Sequence, residues 1–323
     1  MNFLRACLAI VLAASIGAWG PAAAETTARM VQVEPNVALE VLDFGGAGRP
    51  LVFLAGYGGT AHTFKGFAER FTDEHHVYAI TRRGFGVSSS PAPSDESYAV
   101  VRLATDIVAV NDQLGLVRPV LVGHSVAGQE LTEIGQRHPD KISGLIYLDA
   151  ANAQAFYGPR SDVLYPIAGE VRADLARLIS AQPSEARRLI AKLRAELPRL
   201  ERGLNWFEAA IEGAPDDTSA KATTGRALQD AVVRGARVHG AVNATILSIV
   251  ADPPACEPNC GTSASQTYAR ETAAQTDDFT AAHPSAVVVR LPHADHFVWE
   301  SNPDEVEASM RAFLKTLPNP VKP

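Results

Sequence analysis

The sequence predicts an α/β fold in which a mostly parallel sheet, flanked by helices, is interrupted by a helical insertion. Short apolar runs bounded by glycine recur at residues 51–54, 76–81, 119–122 and 142–148, the pattern of strands buried on both faces. Stretches with helical spacing, 98–114 and 126–137, fall between them. Such alternation builds a parallel sheet with right-handed crossovers. The pattern then stops. Between 154 and 242 there is no convincing strand, and 167–202 and 204–240 are dominated by helix formers. Strand signals return at 244–250 and 286–291, and 302–317 fits a closing helix with Pro303 in its first turn. Residues 37–42 add a strand in an edge hairpin.

Composition sets the class. A chain of 323 residues, 46% of them hydrophobic, can bury a large core as one domain or as one domain carrying an insertion. With 20% charged residues wholesale disorder is not expected. Residues 1–24 read as a leader. Arg5 supplies the positive start, 6–18 form an apolar stretch too short to span a bilayer, and Ala22-Ala23-Ala24 offers a small-residue cleavage site. A cleaved secretory signal is therefore expected, and with it a periplasmic or secreted location and no stable membrane insertion. Losing Arg5 makes the formal charge of −7 one unit more negative. No basic stripe marks a nucleic-acid partner, so the expected partner is a small-molecule substrate. Two cysteines then remain, Cys256 and Cys260. In an oxidising compartment a local disulfide is the favoured state.

The strongest chemical signal is Gly123-His124-Ser125-Val126-Ala127-Gly128, directly after the Val-Leu-Val run 120–122. A serine at the tip of a tight strand-to-helix turn is held in a strained conformation with its oxygen exposed. Ala127 stands where the G-x-S-x-G pattern has its second glycine, and Gly128 follows. Such a nucleophile needs a base. His296, on the loop after the last strand run, is positioned to reach the same sheet edge and to shuttle the serine proton. Its neighbour His293 is expected to be an ordinary loop histidine.

The orienting acid falls between the two in the chain. Asp149 ends the run GLIYLD and Asp252 ends ILSIVAD. Asp149 is favoured because its strand and turn need no distortion, whereas Asp252 runs straight into Pro253-Pro254 and the cysteine loop. Acyl transfer also needs backbone donors at the developing oxyanion, each worth about 3 kcal/mol in the transition state. The N–H of Val126 is one. The glycine-rich Gly56-Tyr57-Gly58-Gly59 is expected to supply the other, the Tyr57 N–H. The turn Arg83-Gly84-Phe85-Gly86 reads as architectural.

Together these pieces resemble the α/β-hydrolase superfamily in its capped, serine-dependent form. The resemblance rests on AGYGG at 55–59, TRRGFGVSS at 81–89, VGHSVAG at 122–128, YLDA at 147–150 and LPHADHFVWESNPDEV at 291–306. It implies the α/β-hydrolase fold, a mostly parallel central sheet with an inserted helical cap: a core from 25–153 and 243–323, and a cap from 154–242. It also implies Ser125 as nucleophile, His296 as base, and Tyr57 and Val126 as oxyanion donors. The sequence departs from the common pattern at Ala55, where many members have histidine, and at Thr81, where many have aspartate. The usual acid position after the seventh strand has no clear match, while some members place the acid after strand six, as Asp149 would be. Dehalogenases and epoxide hydrolases of this fold use an aspartate nucleophile, and Ser125 argues against both activities.

The expected activity is hydrolysis of a carboxylic ester, lactone or thioester through an acyl-enzyme, with no cofactor and no metal. Three other readings stand beside it. A metal-dependent hydrolase would use His293-Ala294-Asp295-His296, but Leu291 breaks the H-x-H-x-D-H pattern. A non-catalytic binding protein could share the fold, and an acyltransferase could share the triad. Tyr157, Tyr165, Trp206 and Phe207 are either cap core or pocket lining, with burial the default for aromatics.

Overall fold

A computed structural model describes residues 26–94, 96–151, 164–211, 227–228, 231–232, 240, 242–258 and 260–318. Residues 1–25 and much of 152–241, including Tyr157 and the side chains of Tyr165 and Trp206, lie outside the described residues.

Eight strands form one sheet: β1 (Thr27–Glu34), β2 (Val37–Gly45), β3 (Arg49–Leu54), β4 (His75–Ile80), β5 (Val120–His124), β6 (Gly144–Leu148), β7 (Ile246–Ala251) and β8 (Val287–Leu291). Their order is β1-β2-β4-β3-β5-β6-β7-β8. β2 pairs antiparallel with β1 and β4, and every pairing from β4 to β8 is parallel. The helices are α1 (Val100–Gln113), α2 (Ala127–Arg137), α3 (Leu164–Ser180), α4 (Pro183–Ile211), α5 (Ser263–Ala282), α6 (Val298–Ser301) and α7 (Pro303–Thr316). α3 and α4 fall between β6 and β7, where the strand signals stop. Among the described residues no helix is long and apolar enough to cross a membrane.

Alternation along the strands supplies two cores. Leu51 and Phe53 of β3 face one side, with Phe64, Phe71, Trp299 and Met310. Val52 and Leu54 face the other, with Ile107, Val110, Leu131 and Ile134 of α1 and α2. Covering both faces is what a parallel sheet requires.

One long helix, α5, has no counterpart in the sequence prediction. Its buried face is Thr272, Thr276 and Phe279, continued by His283 just past its end. These positions follow helical spacing, but three of the four are polar, so a hydrophobic-periodicity reading passes over them.

The register sets the site. Gly123 pairs with Leu54 and Tyr147, and His124 with Leu148, so the segments leaving β3, β5 and β6 emerge side by side at one sheet edge. β7 and β8 end together, with Ala251 opposite Leu291.

Candidate active site

Ser125 follows β5 with φ +54°, the left-handed region that a non-glycine residue enters at a cost of about 1–3 kcal/mol. The surrounding chain holds it there. Its N–H donates to Leu148 O (3.3 Å), and its carbonyl accepts from Gly128 N (2.9 Å) at the start of α2. Gly128 is the position where only glycine fits: an added Cβ would stand 2.1 Å from Ala150 O. That contact brings the start of α2 against the segment leaving β6.

His296 and Asp149 come together from positions 147 residues apart, with Nδ1 2.6 Å from Oδ2. Asp149 is buried, in the left-handed region (φ +45°), and its second oxygen accepts from Ala251 N at 3.0 Å. The ring N–H therefore donates to a carboxylate that is itself fixed, which leaves Nε2 as the basic nitrogen. Asp252 is engaged elsewhere: it pairs with Arg290, which also reaches Asp277 at 2.5 Å. Among the described residues the Ser125 hydroxyl makes no hydrogen bond with His296, a looseness common before substrate binds.

The His296 loop is tied down from several sides. His293 N donates to Pro253 O (2.7 Å), Ala255 N to Ala294 O (2.9 Å), and Asp295 N to Ser301 Oγ (3.1 Å). The Cys256–Cys260 disulfide closes the neighbouring loop. His124, the residue before Ser125, donates from Nε2 to His296 O at 3.0 Å and stacks among His296, Phe297 and Trp299 with ring centroids 4.5–4.9 Å apart.

Sequence reasoning passed over His124, although a histidine ending an apolar strand was a visible signal. Burial, with the nearby His296 second, pushes its pKa down to about 3, so it is neutral in the folded protein, whereas the unfolded chain charges it below about 6.5. Its contribution to stability is thus complete above pH 6.5 and falls as pH drops toward 3, by about 2 kcal/mol at pH 5. Urea unfolding of wild type and His124→Gln at pH 8 and pH 5 checks this. The variant is expected to lose less stability on acidification by that amount, and equal losses would contradict it.

Gly56–Gly59 forms a tight turn, with Gly59 N donating to Gly56 O (3.2 Å) and Gly58 at φ +78°. A Cβ on Gly56 would stand 2.7 Å from His124 Nδ1 and 3.0 Å from Ser125 Cβ, so glycine is what lets the loop approach the serine. The Tyr57 ring packs edge-on to Phe85 at 5.4 Å. Val126 belongs to one buried cluster with Phe85, Tyr98, Leu103, Leu228, Ala231 and Val232. The last three lie between β6 and β7 in the chain. Phe207 of α4 is half-buried. Among the described residues no three His, Cys, Asp or Glu side chains are grouped to hold a metal ion.

The turn after β4 is architectural, as its sequence predicts. Arg83 is buried and forks onto Asp106 at 2.5 and 2.6 Å. Thr81, in place of aspartate, donates to Glu40 Oε2 (2.6 Å) and accepts from Ala61 N (2.8 Å), so a β2 carboxylate supplies the missing charge. Arg82 is a second residue that sequence reasoning did not single out. Its guanidinium lies beneath Ala55 and Gly56 and forks onto Glu130 of α2.

Known proteins agree with this architecture. Epoxide hydrolase A of Mycobacterium tuberculosis is 32% identical over 124 residues, 38% of this chain and 38% of its own length. The pimeloyl-[acyl-carrier protein] methyl ester esterase of Edwardsiella ictaluri is 29% identical over 139 residues, 42% of this chain and 51% of its own. The chain thus spans about two fifths to one half of the length of these curated relatives. The crystal structure of a membrane phospholipase A described as a bacterial virulence factor superposes with a TM-score of 0.57 at 20% identity, covering 90% of this chain and 86% of that one. An epoxide hydrolase from Vigna radiata gives 0.56 at 19%, covering 90% and 98%. At such identities these two structures establish the fold. The profile of the alpha/beta hydrolase family matches residues 51–309, and the chain belongs to that family.

Proposed function

We propose that this hydrolase cleaves a carboxylic ester, lactone or thioester through an acyl-enzyme on Ser125. The observation that carries the reading is the Asp149–His296 contact beside a serine held at φ +54°. In this mechanism His296 Nε2 takes the Ser125 proton as Oγ attacks the substrate carbonyl. The N–H groups of Tyr57 and Val126 receive the developing oxyanion. His296 returns the proton to the leaving oxygen or sulfur, and the acyl–serine ester then yields to water activated by the same imidazole. Asp149 fixes the imidazole tautomer and stabilises the imidazolium.

Serine in place of an aspartate nucleophile favours this chemistry over epoxide opening. The insertion acts as a cap over the site: Leu228, Ala231 and Val232 against Val126 and Phe85 support that reading. The leader pattern at 1–24 and the Cys256–Cys260 pair support export to an oxidising compartment. The substrate is a small molecule, and the chemistry calls for no cofactor.

The test is turnover of p-nitrophenyl acetate, p-nitrophenyl butyrate and a simple lactone, with and without EDTA. Hydrolysis that a chelator leaves unchanged is the expected result. Saturable ligand binding with no turnover of any ester, lactone or thioester would overturn the reading in favour of a binding protein.

A further inference from the structure

We propose that Arg82, held by Glu130, is a positioning residue that aims the Tyr57 N–H at the oxyanion. The inference rests on the serine-hydrolase reading and adds a residue pair to it. Arg82 follows β4, and Glu130 lies in the first turn of α2, five positions beyond Ser125. Their side chains form a two-pronged pair, Nε to Oε1 at 2.5 Å and Nη2 to Oε2 at 2.8 Å, with both residues more than nine-tenths buried. The remaining donor capacity of the guanidinium goes to the oxyanion loop. Nη2 donates to Ala55 O at 3.0 Å, and Nη1 reaches Gly56 O at 3.4 Å. Phe85, whose ring makes a T-shaped contact with Tyr57, has the same guanidinium over it at 5.9 Å.

The geometry of the peptide unit gives these contacts a consequence. Gly56 C=O and Tyr57 N–H belong to one planar trans peptide and point in opposite directions. The Gly56 carbonyl also accepts from Gly59 N at 3.2 Å, so the turn and Arg82 together fix it, and with it the direction of the N–H. A cation on that carbonyl also polarises the unit and strengthens its N–H as a donor. Glu130 completes the device from the other side, because α2 starts at Ala127, directly after the second donor, Val126 N–H. One buried pair thus couples the two halves of the oxyanion hole, Tyr57 and Val126, which lie 69 positions apart in the sequence. Burying an ion pair contributes little net stability, so its presence here is accounted for by orientation.

The test compares wild type with the double variant Arg82→Met/Glu130→Met, which removes both charges, and with Arg82→Lys, which keeps the charge and loses the fork. Three quantities are read: kcat and KM on p-nitrophenyl butyrate, thermal midpoint, and amide hydrogen exchange of the segment 55–59. The double variant is expected to stay folded, to lose about 100-fold in kcat with KM within about twofold, and to exchange faster in 55–59 while β3 and β5 stay protected. If it does not fold, Arg82→Lys carries the test, with about a tenfold loss confined to kcat. A folded variant with wild-type kcat, a loss confined to KM, or unchanged exchange in 55–59 overturns the proposal. If wild type itself turns over no ester, the serine-hydrolase reading fails on its own, and the exchange result still decides whether Arg82 orders the loop.

Discussion

Ser125→Ala is expected to lower kcat for ester hydrolysis by about 10⁶-fold while leaving the protein folded. The expectation follows from where the serine sits. Its side chain is half-exposed at the sheet edge, and removing one oxygen there opens no core cavity. Alanine must adopt the same left-handed φ of +54°, at a cost close to that of serine. The loss is therefore chemical. Steady-state kinetics beside a thermal melt check it: an unchanged melt with activity at background is the predicted pair. A residual rate above water of up to about 10⁴-fold, from the oxyanion donors and binding, is compatible with it.

Asp149→Asn is the second large effect, about 10⁴-fold in kcat. The Asp149 carboxylate accepts from His296 Nδ1 on one oxygen and from Ala251 N on the other. An asparagine keeps the shape but can present an N–H to the ring, which turns the imidazole to the wrong tautomer and leaves Nε2 protonated. Asp252→Asn is the matched comparison. That carboxylate is buried and bound to Arg290 on β8 rather than to the imidazole, so its loss acts on stability, and kcat is expected to change less than about fivefold. Parallel kinetics on the two variants decide between the acids, and an equal or larger loss at Asp252 would contradict the assignment.

The difference between those two aspartates shows where sequence reading reaches its limit. Both end apolar strands, and both could be drawn at the same sheet edge. The sequence favours Asp149 for an undistorted strand end against a proline-bound exit; the structure brings Asp149 rather than Asp252 to His296, but with Asp149 itself at φ +45°. What the sequence could not supply is the competitor: Arg290 claims Asp252 from a strand that is adjacent only in space. The strands β3 to β8 were legible because runs such as Val120–Val122 are apolar on both faces and end in glycine. The Ser125 turn was legible because strand, small residues and helix all lie within ten positions. Helix α5 was not, because Phe279 is the one apolar residue on a buried face otherwise made of Thr272, Thr276 and, past its end, His283. Nor was the Arg82–Glu130 pair, since nothing in two charged residues 48 positions apart announces that both are buried and joined. Thr81 read as a departure from the family pattern, and only the fold shows Glu40 reaching across from β2 in compensation.

The account depends most on Ser125 being an activated nucleophile. Peptide-mapping mass spectrometry after treatment with a fluorophosphonate probe tests that directly, with His296→Ala alongside. The predicted result is a single adduct on the peptide carrying Ser125, formed quickly in wild type and at least 100-fold more slowly in the variant. A folded wild-type protein that forms no adduct, or one that is labelled only at another residue, would contradict it.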